Sequence, residues 1–252
     1  MRSFRDERLS FHRNTRNLGL GGNWNQCLEQ SSSDLVTVFH ADDRLLPNYA
    51  QTMIHTAANY PRASAFYCNA QIIGTNSKPT FSFPDFYKSL VRRQSHTSGI
   101  VTLCGDHALA RLLKGWFVMC PTVCYRLSLL KSRRFSTSWK MVVDVELLAG
   151  LLLDGHELVG LPTVAYQYRR HGLNQTSLLT KELTRFEEER DIYEVLRNQA
   201  DAQGWTNTAK VAAKKQVIKL NLTYCILQDL IALRFNSAKR KGAMLAELVL
   251  KT

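Results

Sequence analysis

Long apolar runs are missing from this sequence. A membrane-spanning helix needs ~20 predominantly apolar residues, and the most apolar C-terminal stretch, Leu220 to Phe235, is interrupted by Asn221, Gln228 and Asp229. The charged start, Met1-Arg2-Ser3-Phe4-Arg5-Asp6-Glu7-Arg8, is followed by no apolar segment of the kind that makes a signal peptide. The cysteines (27, 68, 104, 120, 124 and 225) include one CxxxC, Cys120 and Cys124, but no CxxC and no second pair to complete a zinc-ligand set. Reduced thiols buried as small hydrophobes in a reducing cytosol are expected. There is no internal repeat and no low-complexity tract. Acidic residues are scarce: 21 Asp and Glu against 33 Lys and Arg give a net charge of +12. That balance points to an anionic partner: nucleic acid, a phosphorylated substrate or a membrane surface. Nucleic acid is not expected, because the basic residues lack a recognisable binding module or an interleaved aromatic platform.

What is present suffices for a sizeable core: 252 residues, 45% of them hydrophobic. Leu35 to His40 is a short β-branched run entered from the polar tract Ser31 to Asp34, which reads as a buried strand ending at Asp42-Asp43. A helix is expected after Pro47, where Tyr49, Met53, Ile54 and Ala57 recur at helical spacing. Ala65 to Ile73 reads as a strand, and a less regular stretch runs from the turn at Gly74 to Pro79 as far as about Ser98. Asp106 to Lys114 is helical in pattern, Trp116 to Tyr125 strand-like, and Val142 to Leu153 a strongly apolar helix ending at Gly155. Glu157 to Tyr168 returns as a strand, with Pro162 arguing for an edge or a bend. Helices and strands thus alternate to about Tyr168, an α/β layer pattern, and the chain beyond it is helical. The expected division is a domain over 1–177 and a basic helical region over 178–252.

Adjacent carboxylates past a buried strand repel one another unless a divalent cation with oxygen ligands offsets the charge. Asp42 and Asp43 therefore suit a metal that clamps a diphosphate. Taken alone they fit better a solvated loop with Asp43 near the N-terminus of the following helix. Asp144 opens the apolar helix and reads either as a helix cap or as a positioned carboxylate. His171 could ligate a metal or donate to a phosphate, and Arg169 and Arg170 either contact phosphate or form an exposed basic loop. His55, His96, His107 and His156 have no clustered partners.

The order of these segments carries a resemblance. Asn17-x-Gly19, the helix bearing Asn25, the strand closing on HADDRLLP with Asp42, Asp43 and Pro47, then Val143-Asp144 opening VELLAGLLLDG, and finally Tyr168-Arg169-Arg170-His171 succeed one another. This pattern, over roughly Arg8 to Ser177, resembles the family 2 glycosyltransferases of the GT-A type. The resemblance implies an α/β, GT-A-like (Rossmann-like) mixed sheet flanked by helices, incomplete at its N-terminus, with a helical C-terminal extension. It further implies an inverting transfer from a nucleotide-sugar donor to a saccharide or lipid-linked acceptor, with Mg2+ or Mn2+ held by Asp42, Asp43 and His171. Asp144 is then the general base that deprotonates the acceptor hydroxyl. Asn17, Gly19, Asn25, Arg169, Arg170 and His171 would contact the donor. An inactive remnant acting as an interaction or membrane-surface module is the alternative reading.

Two features depart from the family pattern. The first strands and the Asn-Asp-Gly-Ser-like loop that hold the nucleoside do not precede Arg8, and Arg8 to Asn14 looks like the family's third strand. His40 stands where many members have the first acid of Asp-x-Asp. The C-terminal region holds a further signal. Beyond Trp205, Lys210, Lys214, Lys215, Lys219, Arg234, Lys239, Arg240, Lys241 and Lys251 face only Asp229 and Glu247. Such a helix can lie on an anionic membrane surface, which places the chain in the cytoplasm at the inner face of the membrane, or it can pack on the domain with its lysines solvated.

Overall fold

The computed structural model describes residues 6–93, 99–172 and 175–250; His96 and Lys251 lie outside them. Helix α1 (Gly19–Glu29) leads to strand β1 (Leu35–Thr37), a two-residue strand β2 (Arg44–Leu45) and helix α2 (Tyr49–Asn59). Then come β3 (Ala63–Ile73), α3 (Phe83–Arg93), β4 (Val101–Leu103), α4 (Gly105–Leu113), β5 (Val123–Arg126) and the single turn α5 (Leu127–Leu130). Helix α6 (Val143–Leu153) and the long β6 (Glu157–Arg169) complete the layered part, followed by α7 (Gln175–Glu182), α8 (Thr184–Ala202), α9 (Thr206–Lys214), α10 (Gln216–Ile231) and α11 (Phe235–Leu250).

The strands form one mixed sheet in the order β1-β5-β3-β6-β2, with β4 also on β6. Among the described strands only β3 and β6 run parallel, joined by the crossover through α3 to α6; β1 with β5, β3 with β5, and β6 with β2 and β4 are antiparallel. Side chains alternate across the strands and feed two cores. Ala65, Tyr67, Val123, Tyr125 and Leu158 enter the larger one with the buried residues of α4, α6 and α8. Phe66, Cys68, Cys124, Val159 and Tyr166 enter the smaller one with Tyr49, Met53 and Ala57 of α2. A side chain at Gly160 would meet the Tyr67 ring at 2.3 Å, so glycine there lets adjacent strands close over a buried aromatic.

Helix α6 shows why its sequence is apolar all round. Val143, Leu147, Leu148, Ala149, Leu151 and Leu152 are all buried, so the helix is enclosed on every side rather than resting one face on the sheet.

Several sequence expectations change. Arg8 to Asn14 forms no strand; the segment is mostly exposed and pairs with no described strand, and a strand exists only through a partner's ladder. The strand expected over Leu35 to His40 stops at Thr37, because only Leu35, Val36 and Thr37 find partners, on Arg126, Tyr125 and Cys124. Trp116 to Tyr125 is irregular up to a 3-10 turn at Cys120–Thr122, and only then becomes strand. The stretch read as irregular contains α3, and β4 follows it. Pro162 marks a bend, not an edge: β6 pairs on both sides, and Pro162 sits in the gap between the β4 and β2 pairings, where the register against β3 also slips. Its carbonyl is taken by the Asn69 amide at 2.8 Å.

Candidate active site

The acidic pair splits into two unlike residues. Asp43 is 6% exposed. Its Oδ1 accepts the backbone N–H of Arg169 at 2.7 Å and its Oδ2 the Tyr166 hydroxyl at 3.0 Å, both from β6. Burial pushes its pKa up to about 6 against the pull of these hydrogen bonds. A solvated loop therefore does not describe Asp43. Asp42 is exposed, and its Oδ2 lies 3.0 Å from His171 Nε2.

Arg169 fastens this loop. Its Nε donates to the Asp42 carbonyl at 2.6 Å, and its Nη1 donates to the Gly74 carbonyl at 2.8 Å and to Ser77 Oγ at 2.9 Å. One planar guanidinium thus ties the acidic loop to the turn after β3. Arg170 faces elsewhere: it makes a two-pronged pair with Asp85 of α3, at 2.6 and 3.0 Å, and lies 4.7 Å over the Tyr168 ring. Neither arginine is part of an unpartnered basic loop.

His40 fills the place of the expected first acid. It stacks on Trp24 at 5.5 Å, and burial lowers its pKa. One ligand atom each from His40, Asp42 and Asp43 lie within 4.8 Å of one another. The buried His40 Nε2 has no hydrogen-bond partner among the described residues. An imidazole with two carboxylates is a donor set that suits a divalent ion such as Mg2+ or Mn2+, with His171 beside it on Asp42.

Asp144 stands on the first turn of α6, inside the helix rather than at its cap position, Val142. Burial pushes its pKa up to about 6; Lys88, the nearby backbone N–H groups of Asp144 and Val145, and the Trp116 side chain pull the other way. The Trp116 indole N–H is buried and makes no hydrogen bond of normal geometry among the described residues. Burial also pulls Lys88 below the usual lysine range, while Asp85 and Asp144 hold it up. Asp85 thus ties α3 to Arg170, and Lys88 on the same helix acts on Asp144 through its charge.

Cys120 links the two acidic centres. Burial raises its pKa well above the ordinary thiol value, and the negative charges of Asp144 and Asp43 raise it further. Asp43, Cys120 and Asp144 therefore share one electrostatic neighbourhood, framed by Tyr168 and Arg170. Sequence reasoning missed Asp85, Lys88, Trp116 and Cys120. The spacing of Phe83, Phe86 and Leu90 could have revealed α3; nothing local marks the other two. Of the remaining thiols, Cys68, Cys124 and Cys225 are buried as expected, whereas Cys27 and Cys104 are exposed.

The N-terminal motif lies in a different place. Asn17 Oδ1 accepts the Gly19 N–H at 2.9 Å, and Gly19 adopts φ +70°, a turn that starts α1. Asn25 exchanges two 2.9 Å hydrogen bonds with the backbone of Phe135. Asn17 and Asn25 line an open cleft of about 480 Å³ with Arg16, Gly22 and Thr137; neither the acidic pair nor Asp144 borders it.

The family model described as Glycosyl transferase family 2 matches residues 1–111. No curated protein matches significantly. Among solved structures, the crystal structure of S. aureus TarS 1-349 superposes with a TM-score of 0.53 at 15% identity, covering 78% of this chain and 51% of that one. The present chain thus spans about half the length of that structure. The crystal structure of S. aureus TarS 1-349 in complex with UDP gives a TM-score of 0.48 at 14% identity, with 93% and 72% covered. The mixed sheet with its flanking helices is GT-A-like.

Proposed function

We propose that this chain, whose residues 1–111 match the family 2 glycosyltransferase model, transfers a sugar from a nucleotide-sugar donor to a saccharide or lipid-linked acceptor with inversion at the anomeric carbon. The observation that supports this reading is the cluster of His40, Asp42 and Asp43, ligand atoms within 4.8 Å of one another, with His171 on Asp42 and the buried carboxyl of Asp144 close enough for both acids to act on the Cys120 thiol. Asp43 belongs to the candidate cation site, and Asp144 stands apart from it on the first turn of α6.

In this reading Asp144 accepts the proton of the acceptor hydroxyl. The acceptor oxygen bonds to the anomeric carbon as the bond from that carbon to the diphosphate oxygen breaks, and the diphosphate leaves with its electron pair. A carboxyl group with a pKa of about 6 is ionised at neutral pH yet more basic than an ordinary aspartate. Asp42 and Asp43, with His40 and His171, would hold Mg2+ or Mn2+, which supplies charge neutralisation for the diphosphate. Asn17 and Asn25, which line the α1 cleft, and Gly19 beside it would meet the donor, and Arg170 and His171, away from that cleft, its phosphates. Arg169 has most of its donors engaged in holding the loop, so positioning is its larger part.

The test is donor hydrolysis or transfer with the divalent ion present. Metal-dependent turnover that disappears in a folded Asp144→Asn variant supports the reading, and unchanged turnover in that variant removes the base. A second reading, an inactive interaction module, is favoured by one observation: both oxygens of Asp43 already accept internal hydrogen bonds. It predicts no manganese-dependent binding of a nucleoside diphosphate, which a titration with uridine and guanosine diphosphates would read.

A further inference from the structure

Helix α3 has two working faces. Its inner residues Asp85 and Lys88 belong to the candidate site, whereas Phe83, Phe86 and Leu90, spaced for one side of a helix, are 48%, 45% and 41% exposed. Phe81, just before the helix, is 74% exposed and packs on Phe86 with the ring centres 5.9 Å apart and the planes tilted by 45°. Helix α10 carries a matching stripe, Leu220, Tyr224, Leu227 and Ile231, and Phe83 stacks on Tyr224 with ring centres 5.0 Å apart. That stack joins the two helices into one surface, which continues through the exposed Leu233 and Phe235 at the turn into α11. A contiguous apolar surface of this kind is uncommon on a protein that touches only water.

The charge beside it selects the partner. From Thr206 to Leu250 there are eight Lys and Arg residues against two carboxylates, Asp229 and Glu247. Asp229 is buried and paired with Lys241 and Arg234. Lys239 and Arg240, on α11, are exposed. A second copy of a chain with net charge +12 brings like charge to such a face, whereas an anionic bilayer offers headgroups to the cations and acyl chains to the rings. Among the described residues no helix is long and apolar enough to cross a membrane, so contact is limited to the interface.

We propose that the α3 and α10 surface docks on an anionic lipid bilayer, with Phe81, Phe86, Leu227 and Ile231 entering the headgroup boundary and Lys239 and Arg240 meeting lipid phosphates. One consequence rests on the transfer reading: α3 then holds the candidate site beside the lipid surface, where a lipid-linked acceptor would lie.

The full chain is floated with phosphatidylcholine vesicles, with and without phosphatidylglycerol, at low and high salt. Flotation is expected with phosphatidylglycerol present, and is expected to weaken with salt. Phe81→Ser with Ile231→Ser, both exposed, should leave the thermal melt unchanged and weaken flotation about tenfold or more. Lys239→Glu with Arg240→Glu should abolish the preference for phosphatidylglycerol. Absence of flotation by the parent chain, or unaltered flotation of the serine variant, overturns the proposal. So does concentration-dependent self-association that the serine variant abolishes while vesicles are ignored, which would assign the surface to a second copy. Flotation needs no turnover, so its failure and that of the transfer reading are separate results.

Discussion

The backbone N–H of Arg169 donates to Asp43 Oδ1 at 2.7 Å, a bond that joins residues 126 positions apart and closes the acidic loop onto the end of β6. With the Tyr166 hydroxyl on Oδ2, it leaves Asp43 held from one strand by two neighbouring groups. Tyr166→Phe keeps the ring in the smaller core and removes one of the two. A loss of about 1–3 kcal/mol is expected in denaturant unfolding, the cost of a buried carboxylate losing a partner.

Divalent-ion binding should separate the two acids. Asp42 is exposed, so Asp42→Asn should leave the unfolding temperature of the metal-free chain almost unchanged. The parent chain is expected to melt higher with added manganese, since an ion that binds only the folded state stabilises it. That increment should vanish in Asp42→Asn, as read by scanning calorimetry with and without chelator. Retention of the full increment would place the ion elsewhere.

Asp144 sets a pH dependence whose sign follows from its environment. Its folded pKa, about 6, lies above the ordinary 3.8, so the folded state binds this proton more tightly than the unfolded one. Its contribution to stability is full below about pH 4 and is lost as pH rises through about 6. Asp144→Asn should therefore flatten the stability profile over that window and stabilise the chain at neutral pH by on the order of 1–2 kcal/mol. The same variant should lose about 10²- to 10⁴-fold in turnover if Asp144 is the base. A variant less stable than the parent at neutral pH would show that burial does not strain this carboxylate.

Glu188 of α8 accepts the backbone N–H groups of Lys140 at 2.8 Å and Met141 at 2.7 Å, just before the helix that carries Asp144. Glu188→Ala should leave this segment unanchored and lower kcat more than it raises KM, because Asp144 loses its placement rather than the donor its contacts. Glu188→Gln keeps an acceptor oxygen and should restore part of kcat. Equal behaviour of the two variants would make the residue a simple stabiliser.

The Lys241 and Asp229 pair is 5% and 6% exposed at the side chains, and the two partners are not equally supported. Asp229 also meets Ser237 and Arg234, whereas Lys241 has Asp229 and Ser237. Asp229→Asn should therefore cost about 3–5 kcal/mol, the penalty of a buried unpaired ammonium. Lys241→Met, which leaves Asp229 two partners, should cost less in the same urea titration.

Local pattern went far in this chain. The helix after Pro47 and the strands at Ala65 to Ile73 and Glu157 to Tyr168 were legible because burial leaves an apolar pattern the residues display, and the run Val142 to Leu153 was legible by its unbroken apolar length, since that helix is buried on every side. Arg8 to Asn14, Phe39 and His40 misled, because strand propensity without a neighbouring ladder is not a strand. Helix α3 does display a helical period, through Phe83, Phe86 and Leu90, but those residues point outward, so its apolar stripe does not mark a face buried in the core.

The residues by themselves determined the basic imbalance, the alternation of helix and strand, and the order of the motifs from Asn17 to His171, all of which are properties of neighbours along the chain. Only the tertiary structure decided that Asp42 and Asp43 differ, that Arg170 belongs to Asp85, and that the Cys120 thiol is under the charge of both Asp43 and Asp144. Charge and hydrogen bonding act through space, and a carboxylate's state depends on what water it has lost and which distant backbone groups have replaced it.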